Sequence, residues 1–345
     1  MNTPYLSIQN LEKNLQAFHL GPINLNLNKQ DYLVLLGSTG CGKTSLLKCL
    51  TGHYGKVKGN IFLAEKNISQ LSINKKEIGY VSQTVDLFPH LTTIENLSYG
   101  LKYSDLSVTE KKKRLEKYLN LFDLENFAYR KPYTLSGGES KRLAISRSLI
   151  TEPKLLLLDE PLSMLDYNAR LKMLDVLKMI HETLKTTIIH VTHDRYEAWS
   201  IAKKCSVMCN GKIFQTGNVS DVFRKPTNLF TAEFLGGTNI FKAEFKNDIA
   251  NVPWGTVKLP SPTSFPNGWI VIRPENINLV RENLPHKIKG IVQSVHDFGI
   301  YIEIQICVNE NHCVVAHSCC EDIMKLKKGG PVFMEWNDES VWLFE

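Results

Sequence analysis

No apolar stretch in the 345 residues approaches the ~20 needed to cross a bilayer as a helix. The N-terminal Met1-Asn2-Thr3-Pro4 lacks the basic segment followed by an apolar one that marks a secretory leader. Charge of one sign is also in short supply: 41 Lys and Arg against 35 Asp and Glu leave a formal +6. The only strong basic run, Lys111-Lys112-Lys113-Arg114, follows Ser107-Val108-Thr109-Glu110, a capping-box pattern, and so reads as a solvated helix face rather than a nucleic-acid or lipid patch. These absences predict a soluble intracellular protein that binds no nucleic acid. Its eight cysteines are therefore expected to be reduced. The cluster His312, Cys313, His317, Cys319 and Cys320 has no recognised zinc spacing. Cys41 reads as a small filler open to alkylation, and Cys205 and Cys209 share a strand face. What the chain does have is 43% apolar residues and enough length for two domains.

Gly37-Ser38-Thr39-Gly40-Cys41-Gly42-Lys43-Thr44 fits a phosphate-binding loop, G-x-x-x-x-G-K-[ST]. Wrapping a polyanion with backbone N–H groups requires glycines that take positive φ, expected at Gly37, Gly40 and Gly42. Lys43 offers a charge to the β and γ phosphates and Thr44 a hydroxyl to magnesium, with Ser45 opening the helix behind them. The buried strand Tyr32-Leu33-Val34-Leu35-Leu36 enters the loop and a helix over residues 44–50 leaves it, its N-terminus favouring an anion. Leu155-Leu156-Leu157-Leu158 describes a strand buried on both faces that delivers Asp159 and Glu160 to its C-terminal end. Asp159 suits magnesium and Glu160 suits a group that orients the attacking water. Between loop and acids lies Leu135-Ser136-Gly137-Gly138-Glu139, in front of a helix expected over residues 139–151.

These three segments, in this order, resemble the ATP-hydrolysing subunit of an ABC transporter over residues 5–240. Tyr80-Val81-Ser82-Gln83 resembles the family's Q-loop, Leu135 to Glu139 its signature, Ser163-Met164-Leu165-Asp166 its D-loop, and Val191-Thr192-His193-Asp194 its switch histidine. The resemblance implies ATP and Mg2+ as cofactors. Thr44, Gln83 and Asp159 would serve the metal, Lys43, Glu160 and His193 the chemistry, and Ser136, Gly137, Gly138, Glu139 and Asp166 the composite nucleotide site. It further implies a head-to-tail second ATPase subunit, most simply a second copy, because one chain holds one loop and one signature. Transmembrane permease subunits, an external solute-binding protein acting through them, and a place at the cytoplasmic face of the membrane follow from the same resemblance. Two departures stand out: Glu139 where many relatives have glutamine, and Leu15 where relatives place the aromatic that stacks on adenine, which leaves either Phe18 as its substitute or a weakly stacked base.

The expected fold is α/β: a P-loop NTPase core with a helical subdomain over about 88–150, then a small C-terminal β-barrel. The division falls at 1–236 and 237–345, where composition changes at Gly236-Gly237 and short alternating segments such as Trp269-Ile270-Val271-Ile272 begin. Ile272-Arg273-Pro274-Glu275-Asn276-Ile277 resembles the oligonucleotide-fold, TOBE-like accessory domain of importer ATPases. An importer ATPase is thus expected, with Phe234 to Phe241 leaning towards molybdate or tungstate, and iron(III), sulfate, spermidine or sugar as alternatives. A repair ATPase would insert a coiled coil where only about ninety residues separate loop and signature. A nucleotide-binding regulator without turnover is disfavoured by Glu160 and His193.

Overall fold

Alternation governs the end of the strand His19–Leu27, where Ile23, Leu25 and Leu27 point to one face while Asn24 and Asn26 point to water. A computed structural model describes residues 3–16, 18–280, 287–319 and 326–345. It contains two compact units, Met1–Val222 and Phe223–Glu345.

The first unit holds two sheets. The smaller is antiparallel, in spatial order His19–Leu27, Leu6–Asn14, Lys58–Leu63 and Lys66–Asn67. The larger runs Lys212–Asn218, Lys204–Cys209, Tyr32–Leu36, Thr187–Thr192, Leu155–Asp159, Ile78–Val81. All its pairs are parallel except the edge hairpin, which turns on Asn210 and Gly211, both at positive φ as a tight hairpin requires. Strands flanked by parallel neighbours are covered on both faces, hence the fully buried runs Tyr32–Leu36 and Leu155–Asp159. One apolar core unites Leu6, Ile8, Ile23 and Leu25 of the small sheet, Leu33 and Leu35 of the large one, and Leu46, Leu47 and Leu50 of the helix Lys43–Thr51. Each of these side chains contributes roughly 1.5–3 kcal/mol of burial.

The stretch expected to be helical carries Thr93–Ser98, Val108–Leu121 and Gly137–Leu149, each opened by a capping box: Thr92 with Glu95, Ser107 with Glu110, Ser136 with Glu139. The last corrects the expected start at residue 139. Ser136 accepts from the Glu139 N–H, so the helix begins at once after it.

The second unit has two five-stranded antiparallel sheets. One runs Gly255–Lys258, Ile249–Val252, Asn239–Lys246, Asn267–Ile272, Val341–Phe344; the other Asn278–Val280, Pro331–Glu335, Ile288–Asp297, Ile302–Cys307, Cys313–Ser318. Both contribute to one core, with Phe241, Ile270 and Val341 from the first and Ile304, Val314 and Met334 from the second. Asn239 ties them together: its amide donates to the carbonyls of Ile272 and Val315 at 3.1 and 2.8 Å and accepts from Val315 N at 2.7 Å. Arg273 donates to the carbonyls of Phe223 and Leu235 and stacks on Trp342. The helix Leu229–Phe234 also falls in this unit, with Ala232 packed beside Val271 and Phe344. Compact packing therefore divides the chain earlier than the composition change at 236–237.

Of the cysteines expected to be reduced, Cys307 and Cys313 face each other in register on adjacent strands, their sulfurs close enough to pair as a disulfide. Of the neighbouring histidines, His312 meets Asn309 at 3.0 Å and His317 meets Glu303 at 3.2 Å, while Cys319 is exposed. Cys320 lies outside the described residues.

Candidate functional site

The strand Tyr32–Leu36 runs directly into Gly37, and the loop is exposed at Ser38, Thr39 and Gly40 but buried again from Cys41 to Lys43. Gly42 takes φ +106, outside the range of ordinary side chains, and stands at the N-terminus of the helix Lys43–Thr51. Gly37, expected to share positive φ, does not. It is glycine because a Cβ there would strike the Met208 carbonyl oxygen and the Cys41 sulfur. Lys43 is 5% exposed, and its ammonium donates to the carbonyls of Gly37 and Ser38 at 2.8 and 2.9 Å. The ammonium is thus folded back onto the carbonyls of its own loop. Cys41 is buried and burial pushes its thiol pKa up, which argues against the expected ease of alkylation.

Asp159 ends its strand 2% exposed, with both carboxylate oxygens occupied: Thr44 Oγ1 donates to Oδ1 at 2.8 Å and Tyr80 OH to Oδ2 at 3.1 Å. Burial raises the Asp159 pKa, opposed by those two hydrogen bonds. Burial and the neighbouring Asp159 likewise push the Tyr80 phenol up, so it stays a donor. Glu160 follows at φ +46, a left-handed conformation uncommon for a side-chain-bearing residue, anchored by its N–H to the Val191 carbonyl at 2.9 Å. Its carboxylate accepts from Gln83 Nε2 at 3.0 Å and lies 3.2 Å from His193 Nδ1. Gln83 and His193 follow the strands on either side, Ile78–Val81 and Thr187–Thr192, so three neighbouring parallel strands deliver the three side chains to one edge. A hydrolytic water needs such an acceptor between polar neighbours.

In the signature, Ser136 N donates to Glu139 Oε2 at 2.8 Å, and Glu139 N to Ser136 Oγ at 3.3 Å. The charge that Glu139 introduces therefore sits at a helix N-terminus, where the backbone dipole favours it. A Cβ on Gly138 would meet open space, and one on Gly137 would meet Leu165 at 3.7 Å. Asp166 caps the helix Tyr167–Leu184 by accepting from Ala169 N at 2.9 Å. Of the two residues considered for adenine, Phe18 lays its ring against Gly42, while Leu15 joins it only through the backbone pair that closes their turn.

The sequence reading did not single out Tyr80 for its phenol, nor Lys141. Lys141 is 4% exposed in the helix Gly137–Leu149 and donates to the Gln83 carbonyl at 2.7 Å. Burial lowers its pKa, against the raising influence of the Asp159 and Glu160 carboxylates. A signal was present: Lys141 shares a helical face with buried Ile145 and Leu149, and a lysine in an apolar stripe needs a partner.

The sequence model of the ABC transporter family matches residues 20–163. The spermidine/putrescine import ATP-binding protein of Photobacterium profundum is 35% identical over 304 residues, 85% of this chain and 82% of that protein. That of Clostridium novyi is 35% identical over 336 residues, 96% of each. Among solved structures, a component of an ABC transporter complex from Clostridium perfringens superposes with a TM-score of 0.60 at 30% identity, over 65% of this chain and 92% of that one. An ATP-binding cassette solved as a dimer in a post-hydrolysis state with ADP and Pi gives 0.55 at 27% identity, over 62% of this chain and 98% of that one.

Proposed function

Since the chain belongs to the ABC transporter ATP-binding family and is an importer-type ATPase, we propose that it powers uptake of a polyamine of the spermidine and putrescine class, as one of two head-to-tail ATPase subunits beneath a permease. Relatives aligned over as much as 96% of both chains support the polyamine over the molybdate or tungstate suggested by Phe234 to Phe241. In this reading the protein works at the cytoplasmic face of the membrane, held there by permease subunits that an external solute-binding protein supplies. Among the described residues no helix is long and apolar enough to cross a membrane. The ATPase part would extend to residue 236, with a TOBE-like accessory part over 237–345.

The observation that carries the site assignment is the meeting of Gln83 and His193 on Glu160, beside the Thr44 and Asp159 pair. Loop N–H groups from Gly37 to Ser45 bind the phosphates of ATP, and the Lys43 ammonium trades the Gly37 and Ser38 carbonyls for phosphate oxygens. The Thr44 hydroxyl, the Asp159 carboxylate and the Gln83 amide oxygen are the hard donors that Mg2+ takes, and the first two already stand 2.8 Å apart. When bound, the metal neutralises charge developing on the β and γ phosphates. Glu160 orients and polarises the attacking water, and His193 senses the γ-phosphate. Ser136, Gly137, Gly138 and Glu139, with Asp166, complete the partner's nucleotide site, supported by the open space in front of Gly138.

Glu160→Gln keeps size and hydrogen bonding but removes the acceptor charge. It is expected to hold two subunits closed on ATP and slow turnover ~100-fold or more, about 2.7 kcal/mol of barrier. Turnover near wild type would remove Glu160 from the chemistry. For the cargo, the protein reconstituted with the permease that copurifies with it should hydrolyse ATP faster when a binding protein loaded with spermidine or putrescine is supplied; stimulation by molybdate instead would overturn the polyamine reading.

A further inference from the structure

A lysine ammonium taken out of water costs several kcal/mol unless charge or hydrogen bonds replace its hydration. Lys141 is 4% exposed, yet its partner is a neutral group, the Gln83 carbonyl, at 2.7 Å. A purely structural contact with one carbonyl does not require a cation. The charges that favour its ammonium are the carboxylates of Asp159 and Glu160, both of the candidate site. Gln83 in turn spends its amide N–H on Glu160 Oε2 at 3.0 Å. One residue is thus gripped at its backbone by the helix that begins at the signature and presents its side chain to the group that faces the water.

The same helix grips this segment a second time. Arg147 donates to the Asp86 carbonyl at 2.5 Å and stacks on Phe88, its guanidinium 4.9 Å from the ring centroid. Residues 83 to 88 are therefore fixed at both ends to Gly137–Leu149. Without the Lys141 contact, the segment would keep its Asp86 and Phe88 anchors but lose the one that sets the position of Gln83.

We propose that Lys141 is a positioning residue for ATP hydrolysis: by holding the Gln83 carbonyl, its ammonium aims the Gln83 amide at Glu160 and so fixes the carboxylate for the attacking water. The inference rests on the role given to Glu160 above. It makes Lys141 matter to turnover more than to nucleotide affinity, and makes it act through Gln83.

The test compares full-length Lys141→Met, Lys141→Arg, Gln83→Ala and the Lys141→Met/Gln83→Ala double variant for kcat and KM, and for ATP binding without magnesium by calorimetry. Lys141→Met is expected to lower kcat about tenfold, the scale of one charge-assisted hydrogen bond. Magnesium-free ATP binding should stay within about twofold, and Lys141→Arg should recover most of the rate. In the Gln83→Ala background the same methionine should cost less than about twofold more, since the group it acts through is gone. Wild-type turnover in Lys141→Met, or an undiminished loss in the double variant, overturns the proposal. Should methionine prevent folding, Lys141→Ala, which also removes the donor, carries the same comparison. A slow Glu160→Gln beside a wild-type-like Lys141→Met sinks this inference alone, whereas a wild-type-like Glu160→Gln sinks the reading of the site and this inference with it.

Discussion

Each of the two units holds ten strands among the described residues, but only the first lines up its strand ends. In Met1–Val222 the parallel strands Tyr32–Leu36, Ile78–Val81, Leu155–Asp159 and Thr187–Thr192 all point the same way, so the residues beyond them, Gly37, Gln83, Glu160 and His193, collect on one edge. In Phe223–Glu345 each strand runs against its neighbour, so successive ends fall on opposite edges. A parallel sheet thus concentrates chemistry that short motifs can encode, whereas an antiparallel one writes mainly which face is apolar.

The largest effect that sharpens this contrast is expected in the first unit. Gly138→Asp sets bulk and negative charge where a Cβ now meets open space. It should abolish hydrolysis, ~100-fold or more, while leaving ATP binding to the separate subunit intact. Mixed with Lys43→Ala subunits it should rebuild one competent site per dimer, read by vanadate trapping of nucleotide; no trapping in any mixture would break the across-subunit assignment.

Next comes a change expected to weaken the second unit alone. Asn239 is 2% exposed and holds the two sheets together. Asn239→Ala leaves Val315 N and two carbonyls without their partner, a cost of about 2–3 kcal/mol. Trp254, Trp269, Trp336 and Trp342 lie in this unit and Trp199 in the first, so denaturation followed by tryptophan fluorescence in a Trp199→Phe background reports it. An unchanged midpoint, or a raised KM for ATP, would contradict the separation.

A smaller effect concerns the base of ATP. With Phe18 packed on Gly42, Phe18→Ala should weaken ATP binding by about 1 kcal/mol, and Leu15→Tyr should gain little. Tighter binding by the tyrosine, with no loss at Phe18, would mean that the stacking place is at Leu15 and stands empty of an aromatic.

The smallest effect is expected from removing residues 237–345. None of the phosphate-binding motifs lies there, so ATP binding should stay within about twofold. A core that no longer binds ATP would show that the second unit is structural for the first.

Motif spacing and apolar runs determined much of this by themselves. GSTGCGKT and LLLLDE carry their own physical reasons, because backbone cradles need glycine and a doubly covered strand needs unbroken apolar residues. The cap at Ser107 was legible for the same local cause. Contacts between residues far apart in the chain were not. The placing of the helix Leu229–Phe234 with the second unit depended on packing against Val271 and Phe344.

The sequence alone determined the nucleotide chemistry, the α/β core and the β-rich end, since each follows from residue type and short-range spacing. Only the tertiary structure decided that Tyr80 holds Asp159, that Lys141 holds Gln83, and that Gln83 and His193 share Glu160. Gln83 and Glu160 are 77 residues apart, and Lys141 and Gln83 are 58. Their meeting comes from the order in which parallel strands pair and from the helix packed over them, a long-range arrangement that no local pattern of residues records.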